Sequence, residues 1–252
     1  MSFEQADFGS NQLLNLLPQK NRIQFIDRCE VASLKLGDVI ANSGDVIEYI
    51  YFPIKGIISL EKKITDSPYL VITLIGNEGV LFPTITLGED YTPCRAVVQK
   101  AGFVLRIATA DFIHQIEHQA ELRLLLKRYI FVMYSELLQT VACNLFHLLE
   151  SRLARLLLNF QDKSQCDELH VTQELLAQML GVRRVGVTKA AGSLQRQNLI
   201  SYSRGNVIIL NHKGLKAASC LCYLADIETY SQFLKAQENI LKDAPDIDEI
   251  LV

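Results

Sequence analysis

No Cys-x-x-Cys pair occurs in this 252-residue chain, although it contains six cysteines. Cys29, Cys94, Cys143, Cys166, Cys220 and Cys222 are scattered, and no zinc-finger or cluster-binding spacing can be assembled from them. Cys220 and Cys222 form a Cys-x-Cys pair, read here as reduced, partly buried thiols, because lone cysteines behave as small hydrophobes. Long uncharged apolar runs are missing as well. The most apolar stretch, Leu122 to Leu149, is interrupted by Arg123, Lys127, Arg128 and Glu136, short of the ~18 apolar residues that a membrane span needs. The start, Met-Ser-Phe-Glu-Gln-Ala-Asp, lacks a basic region followed by an apolar run, so no secretory signal is read there. Tandem repeats and low-complexity tracts are absent from the sequence too. The expectation is a cytoplasmic protein with no membrane partner and no bound cofactor or metal.

An excess of positive charge is also lacking: the formal net charge is −3. The charge is unevenly placed, however. Residues 151–217 hold ten Lys/Arg against four Asp/Glu, a local +6, while the rest of the chain holds fifteen against twenty-four, or −9. No carboxylate occurs between Glu174 and Asp226, an interval that includes Arg183, Arg184, Lys189, Arg196, Arg204, Lys213 and Lys216. A positive segment on an acidic body suggests a polyanion-binding module, although a solvated basic face has the same composition.

The chain divides by periodicity. Residues 12–28 read as short helices, and from Val31 to about Ala108 come short β-rich runs. Turn signals at Gly37-Asp38, Ser43-Gly44-Asp45, Lys55-Gly56, Asp66-Ser67-Pro68, Gly76-Asn77 and Lys100-Ala101-Gly102 separate them, as in an antiparallel sandwich or barrel. From Phe112 the pattern is helical. Leu126, Ile130, Met133 and Leu137 recur at alternating spacings of four and three, with Phe131, Val132, Leu138 and Val141 off that seam. A helix apolar on more than one face must be covered on several sides, by the β domain and by a second subunit. A helix buried within one large monomer is the alternative. The expected fold is therefore α+β: an N-terminal antiparallel β-roll (1–118), a long dimerisation helix (119–149), a C-terminal winged helix-turn-helix domain (150–230) and a tail (231–252).

The most informative segment is 171–197, V-T-Q-E-L-L-A-Q-M-L-G-V-R-R-V-G-V-T-K-A-A-G-S-L-Q-R-Q. Thr172 is a suitable N-cap for a helix through Leu180, and Gly181 stands where a tight turn needs positive φ. A second helix follows from about Arg183, burying Val187, Ala190, Ala191 and Leu194. Ala177, Gly181 and Val187 have the spacing by which a DNA-binding helix-turn-helix packs two helices across a short turn. A purely structural two-helix corner has a similar pattern. Asn198 to Leu210 then reads as a hairpin with Arg204-Gly205-Asn206 at its tip. In this geometry the second helix enters the major groove by its amino end. Arg183, Arg184, Val185 and Lys189 then lie nearest bases and phosphates, while Thr172 and Arg204 meet phosphate.

The order of β-roll, long helix and winged helix-turn-helix resembles the cAMP receptor protein/FNR (Crp/Fnr) family of transcription regulators. L-K-L-G-D-V-I-A-N-S-G-D and Y-I-Y-F-P-I-K-G-I-I-S-L resemble that family's glycine-punctuated cyclic-nucleotide-binding fold, and L-L-A-Q-M-L-G-V-R-R-V-G-V-T-K resembles its recognition motif. The resemblance covers the chain to about Tyr230. It implies a homodimer that binds a pseudo-palindrome in double-stranded DNA, with RNA polymerase as a partner and a small-molecule effector in the β-roll. The family's cyclic-nucleotide sites use a glutamate and an arginine. Anchored on Ala96, the arginine position holds Cys94, with Arg95 displaced by one residue and hence onto the opposite face of a strand. The glutamate position holds Leu81. A cyclic phosphate would be buried unpaired, so cyclic AMP is not the expected effector. Val185 and Lys189 replace the family's usual glutamate and a common arginine in the recognition helix, which implies a different operator.

Two other functions fit parts of the chain. His114-Gln115-Ile116-Glu117-His118 matches the His-x-x-Glu-His pattern of a zinc metallohydrolase, or is simply a polar helix face. A regulatory module that binds a protein partner instead of DNA is the other.

Overall fold

The computed structural model describes residues 11–64 and 69–243, with the side chains of 238–243 excluded. The extreme amino terminus, the turn at Asp66-Ser67-Pro68 and residues 244–252 of the expected tail lie outside the described residues.

A short 3-10 turn, Leu14–Leu16, and helix α1, Gln19–Ile26, precede the sheet. The strands are β1 (Glu30–Leu34), β2 (Val39–Ala41), β3 (Tyr49–Lys62), β4 (Leu70–Ile75) and, after a 3-10 turn at Pro83–Leu87, β5 (Arg95–Ala108). All pairings are antiparallel, in the order β1-β5-β3-β4, with β2 also pairing β5. Lys55-Gly56 and Lys100-Ala101-Gly102, read from the sequence as turns, are instead irregularities inside two long strands. The β3–β5 ladder runs from Tyr49↔Ala108 to Glu61↔Arg95, and its register shifts between Pro53 and Ile58. Glycine permits the crossing of the two backbones. A Cβ on Gly102 would lie 2.0 Å from the Lys55 carbonyl oxygen, and one on Gly56 would lie 2.7 Å from that of Lys100. The core of the roll is aromatic, with Phe25 edge-on to Phe52 at 5.3 Å and to Phe112 at 6.3 Å.

Helix α2 (Thr109–His118) leads into α3, a 27-residue helix from Ala120 to Phe146. The seam expected from Leu126, Ile130, Met133 and Leu137 does not face outward. Leu126 is fully buried in the β-roll core with Leu122, Leu125, Tyr129 and Val132, and Met133 packs against them. Phe131, Tyr134, Leu138, Val141 and Leu145 are instead 53–73% exposed on another face.

The remaining elements are α4 (Leu149–Ser164), β6 (Glu168–His170), α5 (Gln173–Leu180), α6 (Arg184–Arg196), β7 (Ile200–Ser203), β8 (Asn206–Ile209), α7 (His212–Ala218) and α8 (Cys222–Asp243). The boundary expected at Tyr230 falls inside α8, so residues 231–243 are helix rather than tail. The reason is apolar burial: Phe233 joins the β-roll core, with Tyr230 and Leu234 packed beside it, and α8 lies along α3. Ile57, Val71 and Leu74 of the large sheet in turn belong to the core of the C-terminal module, with Leu153, Leu157, Leu176 and Leu194. The two halves share side-chain packing.

Candidate nucleic-acid interface

Thr172 caps α5, its hydroxyl oxygen accepting from the Leu175 amide at 3.1 Å. Gly181 ends the helix at φ +63°, where an L side chain would be strained, and the Val182 amide donates to the Ala177 carbonyl at 3.0 Å. That turn brings α6 across α5, with Ala177 and Val187 buried between them. Leu70 of β4 approaches Gly181, so the turn lies against the large sheet.

The front of α6 is left open. Arg183 is its N-cap without a side-chain capping bond, and no carboxylate lies in the first turn. The unpartnered amides and the dipole of a 13-residue helix therefore favour an anion there. Arg183, Arg184 and Lys189 are exposed, and Val185 stands 65% exposed, unusual for a valine on an otherwise packed helix.

Gln173 organises this surface. Its side-chain oxygen accepts from the Thr188 hydroxyl at 2.8 Å and from Arg184 Nε at 3.4 Å, holding the arginine against the start of α5. Burial pushes the Tyr202 hydroxyl above its usual pKa, with the Arg184 charge pulling it the other way. Sequence reasoning identified neither Gln173 nor Thr188. The signal available was a glutamine directly after an N-cap, which has no meaning until α6 is placed.

Strands β7 and β8 pair from Ile200↔Ile209 to Ser203↔Asn206 and form the wing. Arg204 (φ +48°) and Gly205 (φ +85°) make its two-residue turn. The Gly205 carbonyl accepts from the Val171 amide at 2.8 Å, and a Cβ at Gly205 would lie 3.7 Å from Thr172. The exposed tip arginine is thus held beside the start of α5. Thr172 and Arg204 lie together, and Arg183, Arg184, Val185 and Lys189 lie on the first turns of α6.

The β-roll positions singled out for a cyclic nucleotide do not form such a site. Leu81 is fully buried. Arg95 faces Glu61 at 3.6 Å and lies over the Tyr69 ring at 4.9 Å. Cys94 is half-buried, and burial raises its thiol pKa.

The metallohydrolase constellation does not assemble either. His114 and His118 stack at 4.1 Å, and His118 Nδ1 is bonded to the His114 carbonyl of its own helix at 2.8 Å. Glu117 is exposed beside them, because Phe112 and Ile116 take the buried face. Among the described residues, metal-donor atoms converge elsewhere, at Cys143, His147, Cys220 and Cys222. Cys220 and Cys222 are free, buried thiols, and the grouping sets Cys143 and His147 beside them. No helix among the described residues is long and apolar enough to cross a membrane.

The Crp-like helix-turn-helix domain family matches residues 151–218. No curated protein matches the chain in sequence. Among solved structures it is similar to FixK2 from Bradyrhizobium japonicum (TM-score 0.66, 13% identity, covering 76% of this chain and 98% of that one). It is also similar to a putative transcriptional regulator of the Crp/Fnr family from Eubacterium rectale (0.63, 17%, covering 82% and 96%). TTHB099, a CRP-family transcriptional regulator from Thermus thermophilus, is a third (0.62, 18%, covering 75% and 96%).

Proposed function

We propose that this chain, a Crp/Fnr-type transcription regulator with a Crp-like helix-turn-helix domain on the fold of such regulators, binds a pseudo-palindromic operator as a homodimer. The observation that carries this reading is the open amino end of α6, where three cations and an exposed valine stand on helical turns that carry no carboxylate of their own. Arg184, steadied by Gln173, contacts a guanine edge, and Val185 contacts a thymine methyl. Arg183, Lys189, Thr172 and Arg204 engage phosphate and set the register.

The second subunit covers the outward stripe of α3. Phe131, Tyr134, Leu138, Val141 and Leu145 repeat at spacings of three and four, the period of a two-helix seam. Pairing along that stripe sets the two α6 helices about one DNA turn, ~34 Å, apart. An effector, if one acts in the β-roll, is not cyclic AMP, because Leu81 and Cys94 stand where its ribose and phosphate partners belong. RNA polymerase is the partner through which bound protein affects transcription, and the cytoplasm is where it acts.

The reading is tested by selecting bound sequences from random duplex DNA, then measuring affinity for the selected site over a salt series. Affinity should fall steeply and linearly in log–log form, because phosphate contacts release counterions. Arg184→Ala should lose about 1–3 kcal/mol of discrimination at one base position while remaining dimeric. No enrichment of any sequence by the wild-type dimer would overturn the proposal.

A further inference from the structure

Two segments distant in sequence converge where α3 ends. Cys143 lies in the last turn of α3, and His147 follows that helix as its C-cap. Cys220 lies between α7 and α8, and Cys222 begins α8. Cys143 Sγ is 3.4 Å from Cys220 Sγ, and Cys222 Sγ is 3.3 Å from His147 Nδ1. All four donor atoms lie within 4.8 Å of one another.

We propose that Cys143, His147, Cys220 and Cys222 bind a single zinc ion as a closed, four-ligand structural site. Ligands at about 2.0–2.3 Å around a tetrahedral zinc stand roughly 3.3–3.8 Å apart, which is the spacing of the two close pairs. Four donors this tightly grouped surround one ion and leave no room for the bridging sulfides of an iron–sulfur cluster. Soft thiolates with one imidazole select zinc over calcium or magnesium. With all four positions supplied by the protein, no site remains for a reactive water, so the ion holds structure and does not catalyse hydrolysis.

The surroundings agree. Cys143, Cys220 and Cys222 are buried and form a small cluster separate from both large cores, so their burial serves neither. A bound divalent ion holds such buried thiols as thiolates. The site clamps the end of α3 to the start of α8, where the sensor half meets the DNA module. It does not depend on DNA binding.

The test is metal analysis of the full chain, purified without chelators or a histidine tag. Roughly one zinc per chain is expected, bound tightly enough to survive gel filtration. Cys143→Ser and Cys220→Ser should each weaken retention by about tenfold or more, while Cys29→Ser and Cys166→Ser keep the full complement. Replacing zinc by cobalt should give the intense visible bands of a tetrahedral thiolate site, and His147→Cys should keep one ion while shifting those bands to lower energy. Should the serine variants fail to fold, the wild-type stoichiometry and cobalt spectrum still decide. Wild-type protein with neither zinc nor cobalt bands, with iron or copper in zinc's place, or with a Cys143–Cys220 disulfide in its intact mass would overturn the assignment. So would a Cys220→Ser variant that keeps its metal.

Discussion

Arg184 and Arg204 are both exposed and both charged, yet their surroundings differ, and the proposed function assigns them different work. Arg184 is held by Gln173 at the front of α6, and Arg204 projects from a two-residue turn. Arg204→Ala should weaken binding to all DNA sequences alike and reduce the slope of log affinity against log salt by about 1. A change of base preference would contradict its placement at phosphate. Gln173→Ala frees the Arg184 side chain without removing charge, so it should relax specificity and leave the salt slope intact. Thr172→Ala removes a cap and should cost about 1 kcal/mol in a denaturant titration of the protein alone. At this scale Thr172 and Gly181 could be read from sequence because capping and positive φ are local demands. Gln173, Thr188 and the Cys143–His147–Cys220–Cys222 grouping could not, because their meaning depends on which distant segments meet. Cys-x-x-x-His at 143–147 and Cys-x-Cys at 220–222 were each too short to signal a site alone.

Helix α3 shows what periodicity can and cannot tell at the scale of the element. Apolar residues on two faces predicted two coverings. The period did not say which stripe meets the β-roll, since both repeat at three and four. Leu126 turned inward because α3 packs directly on the β-roll core with Leu122 and Tyr129, which left Phe131, Leu138 and Val141 outward. If the outward stripe is the proposed dimer seam, Leu138→Glu, at a position 53% exposed, should leave the fold intact and make the protein monomeric in sedimentation velocity, with loss of affinity for the selected DNA site. A variant that stays dimeric would place the interface elsewhere. Strands β3 and β5 differ for a related reason: Gly56 and Gly102 resemble turn residues in sequence, but each serves the close crossing of one strand over the other. Helix α8 continues past Tyr230 because Phe233 and Leu234 have a partner surface that exists only in three dimensions.

At the scale of the whole molecule, ion pairs act both within the C-terminal module and between it and the β-roll. Within the module, Arg155 of α4 makes a two-pronged contact with Asp226 of α8, at 2.8 and 3.1 Å, with both side chains under 10% exposed. Nearby, Lys163 of α4 donates to Glu78 of the β-roll at 2.8 Å and lies 3.7 Å from Glu136 of α3, tying three parts of the fold together. Burial raises the Glu136 pKa and Lys163 opposes that rise. Lys163→Met leaves two half-buried carboxylates without their cation, at a cost of about 2–3 kcal/mol at neutral pH, below that of a fully buried pair because Glu136 is 26% exposed. The sign of its pH dependence follows. With the lysine gone, the folded-state pKa of Glu136 rises further above its unfolded value, so the folded state binds the extra proton more readily than the unfolded chain does. Stability is then greatest below the ordinary carboxylate range and declines as pH rises through the raised pKa. Thermal denaturation from pH 8 to pH 5 should show the deficit of Lys163→Met narrowing as pH falls. A deficit that stays constant over that range would mean that the lysine contributes packing and not charge.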